Sequence, residues 1–140
     1  MEDPSTRLGA SVETVMTRRV VLILENIPMS EVRAIVVQYD YNGFPIVTTE
    51  GRLVGMITKG DLLRAVRASL VDARVFGQPV SRWMARGVLA LRPGDSLRTA
   101  VEGRADSGFR SLPVIDETDR VVGIVSRNDL MTAIGGEVRV

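Results

Sequence analysis

The chain has 140 residues, 45% of them hydrophobic and 25% charged, with a formal net charge of +1, which describes one soluble globular domain. It holds no cysteine and no histidine, and this excludes thiol nucleophiles, disulfides, imidazole bases, the usual catalytic triads and most zinc sites. The balanced charge gives no case for a nucleic-acid partner, the apolar runs fall short of the ~20 residues that cross a bilayer, and the acidic start lacks the basic and apolar regions of a signal peptide. No membrane and a cytoplasmic location are the expectations.

In chain order, a tail over residues 1–10 leads to the segment Val12 to Thr17 and then a short apolar strand, Val20 to Leu24. Asn26 followed by Pro28 signals a helix start, and Val32, Ile35 and Val36 form a stripe at helical spacing. The turn pair Asn42-Gly43 ends that helix. Phe44-Pro45-Ile46-Val47 then reads as a strand opening on proline, Leu53 to Ile57 as a near-continuous apolar strand, and Lys59 to Leu70 as a closing helix. The link from 70 to 79 holds turn residues but no long flexible run.

The same order then returns 68 residues later. Arg52 to Val66 matches Arg120 to Ile134 with six identities in fifteen positions, and the offset continues upstream through Val12 with Val80, Met16 with Met84, Arg18 with Arg86 and Pro45 with Pro113. Repeat two therefore shows a strand at Val88 to Leu91, Gly94-Asp95 as turn and cap, and a helix over 96–106 ending at Ser107-Gly108. A strand over Leu112 to Ile115, another over Val121 to Val125 and a helix over Arg127 to Ile134 complete it. The domain limits are 11–69 and 80–136, each strand-helix-strand-strand-helix. Units of about 56 residues bury little core alone, so the two are expected to pack as one α/β module with a pseudo-twofold axis.

Thr58 and Ser126 fall where a strand ends and a helix begins, beside unpaired backbone N–H groups and the positive end of a helix dipole, which favours phosphate. Lys59, the sole lysine, and Arg127 add a cation at the next position. Asp61 and Asp129, one turn inward, suit hydrogen bonds from ribose hydroxyls. The competing reading is local, because Thr-x-x-Asp and Ser-x-x-Asp are close variants of a helix capping box. Arg18 and Arg86 form a repeated pair that reads either as phosphate-neutralising or as solvated surface guanidinium. Trp83 reads as filler of core or interface. The spacing from Gly55 to Gly60 is no phosphate loop, since Asp61 stands where the lysine belongs.

The repeated order, the V-x-x-V-M-T opening, the hydrophobic-Pro-Val step and the G-h-h-T/S-x-x-D-L signature, where h is hydrophobic, resemble the cystathionine-β-synthase (CBS) domain over about residues 12 to 135. That resemblance implies a Bateman module of two β-α-β-β-α repeats, association of modules into a homodimer, and clefts between paired repeats that bind AMP, ADP, ATP or S-adenosylmethionine. It also implies contacts. Thr17, Val20, Ala85 and Val88 map to positions framing adenine, for which core packing is the alternative at the two valines. Pro45, Ile46, Pro113 and Val114 map to the cleft wall, with core again the alternative for Ile46 and Val114. Arg110 and Ser111 map to positions that reach phosphate, whereas their counterparts Asn42 and Gly43 are uncharged, so the two sites should differ. Ala85 departs from the threonine usual there.

The expected function is a stand-alone regulatory pair that binds an adenine nucleotide, foremost AMP, and alters its own association or an effector protein's activity. The alternatives are an ATP or S-adenosylmethionine sensor and a structural dimerisation or adaptor module without ligand. No catalytic residues, no metal and no catalytic cofactor are expected, because Asp61 and Asp129 sit in similar settings, without the contrast that separates acid from base.

Overall fold

The computed structural model describes residues 7–107 and 110–135. Its elements are β1 (Ile23–Leu24), α1 (Met29–Gln38), β2 (Gly43–Val47), β3 (Leu53–Thr58), α2 (Lys59–Ser69), α3 (Leu97–Ser107), β4 (Ser111–Ile115), β5 (Val121–Ser126) and α4 (Arg127–Gly135), with short 3-10 turns at Val12–Thr14, Ala73–Gly77 and Val80–Arg82. The fold is mixed α/β, with the expected order in the first repeat, although α1 ends at Gln38 rather than at Asn42-Gly43, and Gly43 opens β2. The turn expected at Ser107-Gly108 and the end of the second repeat at 136 lie partly outside the described residues.

Two strand lengths need correction, and so does the place of the prolines within their strands. The strand expected over Val20 to Leu24 shortens to Ile23–Leu24, and the one over Val88 to Leu91 reduces to a single parallel bridge between Leu91 and Val114. The prolines explain both. Pro45 and Pro113 do not open their strands but sit third of five residues. The Pro113 carbonyl accepts from Leu91 N at 2.9 Å. On a strand the N–H and C=O of one residue point the same way, so the missing proline donor faces that short neighbour, and the ladder stops there.

Contacts divide the chain into two compact units, Val21–Val88 and Met1–Val20 with Leu89–Val140. These are not the sequence repeats. In the unit Val21–Val88, β1 pairs in parallel with β2 and β2 antiparallel with β3; on the far side of β3, Ala85 bridges Met56, although Ala85 belongs to the second repeat. In the other unit β4 pairs with β5, and Thr17 of the first repeat bridges Ile124. Each repeat thus lends its opening segment to the sheet of the other.

Glycine makes that crossing possible. A Cβ on Gly55 would lie 2.6 Å from the Met84 sulfur and 2.7 Å from the Ala85 carbonyl oxygen, and one on Gly123 would lie 2.7 Å from the Met16 sulfur. The glycine of the repeated signature is therefore required by the incoming segment. Each unit has its own core. Ile23, Met29, Val32, Phe44, Ile46, Ile57, Val80 and Met84 pack in one; Val12, Met16, Leu91, Leu97, Leu112, Val114 and Val125 pack in the other. Trp83 packs against the first of these, half-buried, its indole N–H donating to Gln78 Oε1 at 2.9 Å.

Candidate functional site

Both strand-to-helix junctions form as expected, and both are closed capping boxes. Thr58 caps α2. Its Oγ1 accepts from Asp61 N at 3.3 Å, while Asp61 Oδ2 accepts from Thr58 N at 2.9 Å and from Thr58 Oγ1 at 3.1 Å. At the second junction Asp129 Oδ2 accepts from Ser126 N at 2.8 Å, and Ser126 Oγ accepts from Asp129 N at 3.1 Å. The aspartates therefore fix the first turn of each helix, each with one oxygen in the box.

Their second oxygens differ. Asp61 Oδ1 accepts from Arg64 at 2.6 Å, whereas Asp129 Oδ1 has no partner among the described residues; the residue corresponding to Arg64 is Thr132. The cations differ in the same direction. Lys59 Nζ donates to Asp40 Oδ1 at 2.8 Å, and this hydrogen bond, with the lysine's charge, holds the Asp40 carboxyl below its ordinary value. Arg127 is exposed, and its side chain has no partner among the described residues.

Strand register assembles the rest of each site. Gly43 pairs with Thr58 and Pro45 with Met56, and Met56 bridges Ala85, so Ala85, Met56 and Pro45 form a row across the sheet below the first junction. In the other unit Ser111 pairs with Ser126 and Pro113 with Ile124, which bridges Thr17. Arg110 O accepts from Arg127 N at 3.0 Å. Thus Thr17 joins the second repeat's sheet and Ala85 the first's, while Arg18, Val20, Arg86 and Val88 follow them in the chain outside any strand. Pro45 and Pro113 are buried, and the Ile46 and Val114 side chains are fully buried in the cores. Val20 and Val88 are half-buried, while Thr17, Arg18 and Asn42 are exposed. Arg86 is exposed and donates to Ser81 O at 3.3 Å.

Sequence reasoning missed Asp40, Arg64 and Met56. Arg64 had a visible signal, the i,i+3 spacing from Asp61; Asp40, nineteen residues from Lys59, had none. Two hollows, of about 470 Å³ beside Thr48 and Glu25 and about 480 Å³ beside Asp116 and Arg92, occupy equivalent places at the other end of each sheet and touch none of the expected site residues. Among the described residues no three acidic, cysteine or histidine side chains gather to hold a metal, and no helix is long and apolar enough to cross a membrane.

The CBS domain profile matches residues 12–68 and 80–136, and the chain belongs to the CBS domain family. The protein MJ1225 of Methanocaldococcus jannaschii is 29% identical over 130 residues, 93% of this chain and 45% of that protein. A homoserine O-acetyltransferase of Methanohalophilus mahii is 29% identical over 132 residues, 94% of this chain and 26% of the enzyme. The chain thus spans less than half of either relative. Among solved structures, CBSX2 in complex with AMP superimposes with a TM-score of 0.78 at 24% identity, covering 89% of this chain and 96% of that one. The CBS domain pair of MJ0100 in complex with 5'-methylthioadenosine and S-adenosyl-L-methionine gives 0.76 at 25% identity, covering 91% and 97%.

Proposed function

We propose that the chain is a regulatory module that binds an adenosine-containing ligand, AMP foremost, at its strand-to-helix junctions. The observation that carries this reading is the duplicated junction itself. Hydroxyl, carboxylate and helix N-terminus are held together in each unit by a closed box and a strand register that admits little slippage, with a cation at the next position in the chain. The AMP bound to CBSX2 and the 5'-methylthioadenosine and S-adenosyl-L-methionine bound to MJ0100 support the ligand class. Occupancy then alters association or an effector protein by the difference in ligand affinity between states, typically ~1–3 kcal/mol. Non-catalytic action fits a chain that matches only about a quarter of an acetyltransferase. A cytoplasmic location and a homodimer through the closing helices complete the proposal. Leu63 and Met131, equivalent residues of α2 and α4, are each 67% exposed, and light scattering checks the dimer.

Calorimetry and thermal shift with AMP, ADP, ATP and S-adenosylmethionine test the proposal; heat and stabilisation with at least one are expected, and neither with any of the four refutes it. Asp61→Ala combined with Asp129→Ala should weaken binding if ribose recognition is correct. A second reading, an adaptor without ligand, is favoured by one observation, that both boxes close within the chain. Ultraviolet absorbance of the purified protein separates the two, because only a binder carries nucleotide through purification.

A further inference from the structure

The two hollows at the other end of the sheets match at the repeat spacing. Arg92, Pro93, Asp116 and Glu117 line one, and Leu24, Glu25, Thr48 and Thr49 line the other at the same places. Each hollow lies within a single compact unit, and a turn of the same build borders each. Thr48 Oγ1 accepts from Glu50 N at 3.3 Å and Arg52 N at 3.2 Å, as Asp116 Oδ1 accepts from Thr118 N at 2.9 Å and Arg120 N at 3.0 Å. The next equivalent pair, Gly51 and Asp119, is left-handed in both, with φ of 85° and 66°.

In the second repeat this turn already holds a guanidinium. Arg92 donates from one terminal nitrogen to the Asp116 carbonyl and from the other to Asp119 Oδ1 at 3.3 Å. The first repeat has the turn without the cation, because Leu24 stands where Arg92 would recur. The Thr48 carbonyl accepts from Gly51 N at 2.9 Å and has no second partner among the described residues.

Carboxylates gather there instead, since Glu25 replaces Pro93 and Glu50 replaces Thr118. The Thr48 hydroxyl and its own amide hold the Glu50 carboxyl below its ordinary value and so keep it charged. Glu25 is half-buried, and its carboxylate has no hydrogen bond or ion pair among the described residues. Of the nearby cations, Arg52 acts on Glu50 through its charge alone, and Arg86 is engaged by the Ser81 carbonyl at 3.3 Å. A half-buried carboxylate is costly without a counter-charge. Carboxylates together with an open carbonyl suit the planar, many-donor guanidinium better than a compact ammonium.

We propose that the hollow of the unit Val21–Val88 receives an arginine side chain of a partner protein, whose guanidinium sits on the Thr48 turn and against Glu25 as Arg92 sits on the Asp116 turn from within the chain. This docking does not depend on nucleotide binding at the junctions.

NMR amide shifts of the whole chain during titration with N-acetyl-arginine methylamide test it, with the lysine analogue, free arginine and magnesium chloride as parallel titrants. The amides of Glu25, Asn26 and Thr48 to Gly51 should shift with the arginine amide, and those of Asp116 to Asp119 should stay still. Leu24→Arg, at a position 39% exposed, should abolish the response by supplying the guanidinium in cis. Glu25→Gln should weaken it about tenfold, the loss of one charge-assisted contact, and Arg92→Ala should make the Asp116 turn respond as well. An absence of shifts at the Thr48 turn, or a response that Leu24→Arg leaves unchanged, overturns the proposal. So does an equal response to the lysine analogue or to magnesium, which would mean attraction to any cation. Free arginine binding more tightly than its amide would replace the partner protein by a free amino acid and overturn the docking.

Discussion

The junctions at Thr58 and Ser126 carry the same motif on the same scaffold, yet one is electrostatically complete and the other open. At the first, Asp40 and Arg64 engage the lysine and the aspartate that the motif offers. At the second, the corresponding positions are Gly108 and Thr132, and a buried serine hydroxyl is added. The comparison teaches that a duplicated motif duplicates a backbone geometry, and that neighbours outside the motif decide whether its charges are paired within the protein or left open.

The largest effect that would sharpen this comparison concerns the crossing segments. Gly55→Ala places a methyl against both a sulfur and a backbone carbonyl, so it should destabilise by about 1–3 kcal/mol. Gly123→Ala, whose tightest contact is the flexible end of Met16 with the Thr17 carbonyl at 3.1 Å, should cost less. Urea denaturation of the two variants gives the order, and equal losses would mean that the two units tolerate the crossing alike.

Next come the caps. Thr58→Ala and Ser126→Ala each remove the oxygen that accepts from the N3 amide, and each should cost about 1 kcal/mol. A clear inequality between them would break the view that the scaffolds are equivalent. Asp61→Asn and Asp129→Asn separate the junctions further. The first also strands Arg64 without its anion, but that partly exposed pair contributes little, so stability should fall similarly in both, while AMP affinity should fall more in the second.

The smallest effect is the pH response of Asp40. Its carboxyl is held low by Lys59, so whatever the pair adds is present above the ordinary carboxylate value of about 3.9 and is lost as pH falls through the lowered one. The group is fully exposed, so Asp40→Ala should leave the denaturation midpoint in place at neutral pH. It should instead free Lys59 to meet an added anion, so that phosphate shifts the amides of Thr58 to Asp61 more than in the wild type. Raised salt should reproduce part of that release.

Much of this was legible in the sequence because local rules govern it. The helices α2 and α4 begin where Thr58 and Ser126 predict them, since a cap is fixed by residues three apart, and the apolar stripe of Val32, Ile35 and Val36 placed α1. The proline steps were recognised but misread as strand openings, because only the pairing partner reveals toward which side Pro45 and Pro113 lack a donor. The exchange of opening segments was not legible either. It depends on Ala85 meeting Met56 and Thr17 meeting Ile124, contacts between repeats that a periodic pattern does not encode. At the candidate site the motif residues were found and their asymmetry was partly seen in Arg110 and Ser111, but the pairing of Lys59 with Asp40 and the filling of Gly43's space by Met56 arise from tertiary placement.

Calorimetric titration of the chain with AMP tests the central claim most directly, compared across wild type, Ser111→Ala and Lys59→Ala. The account predicts AMP binding that is weakened about tenfold by loss of the Ser111 hydroxyl and less by loss of the lysine. Binding that depends on Lys59 and not on Ser111 would contradict it.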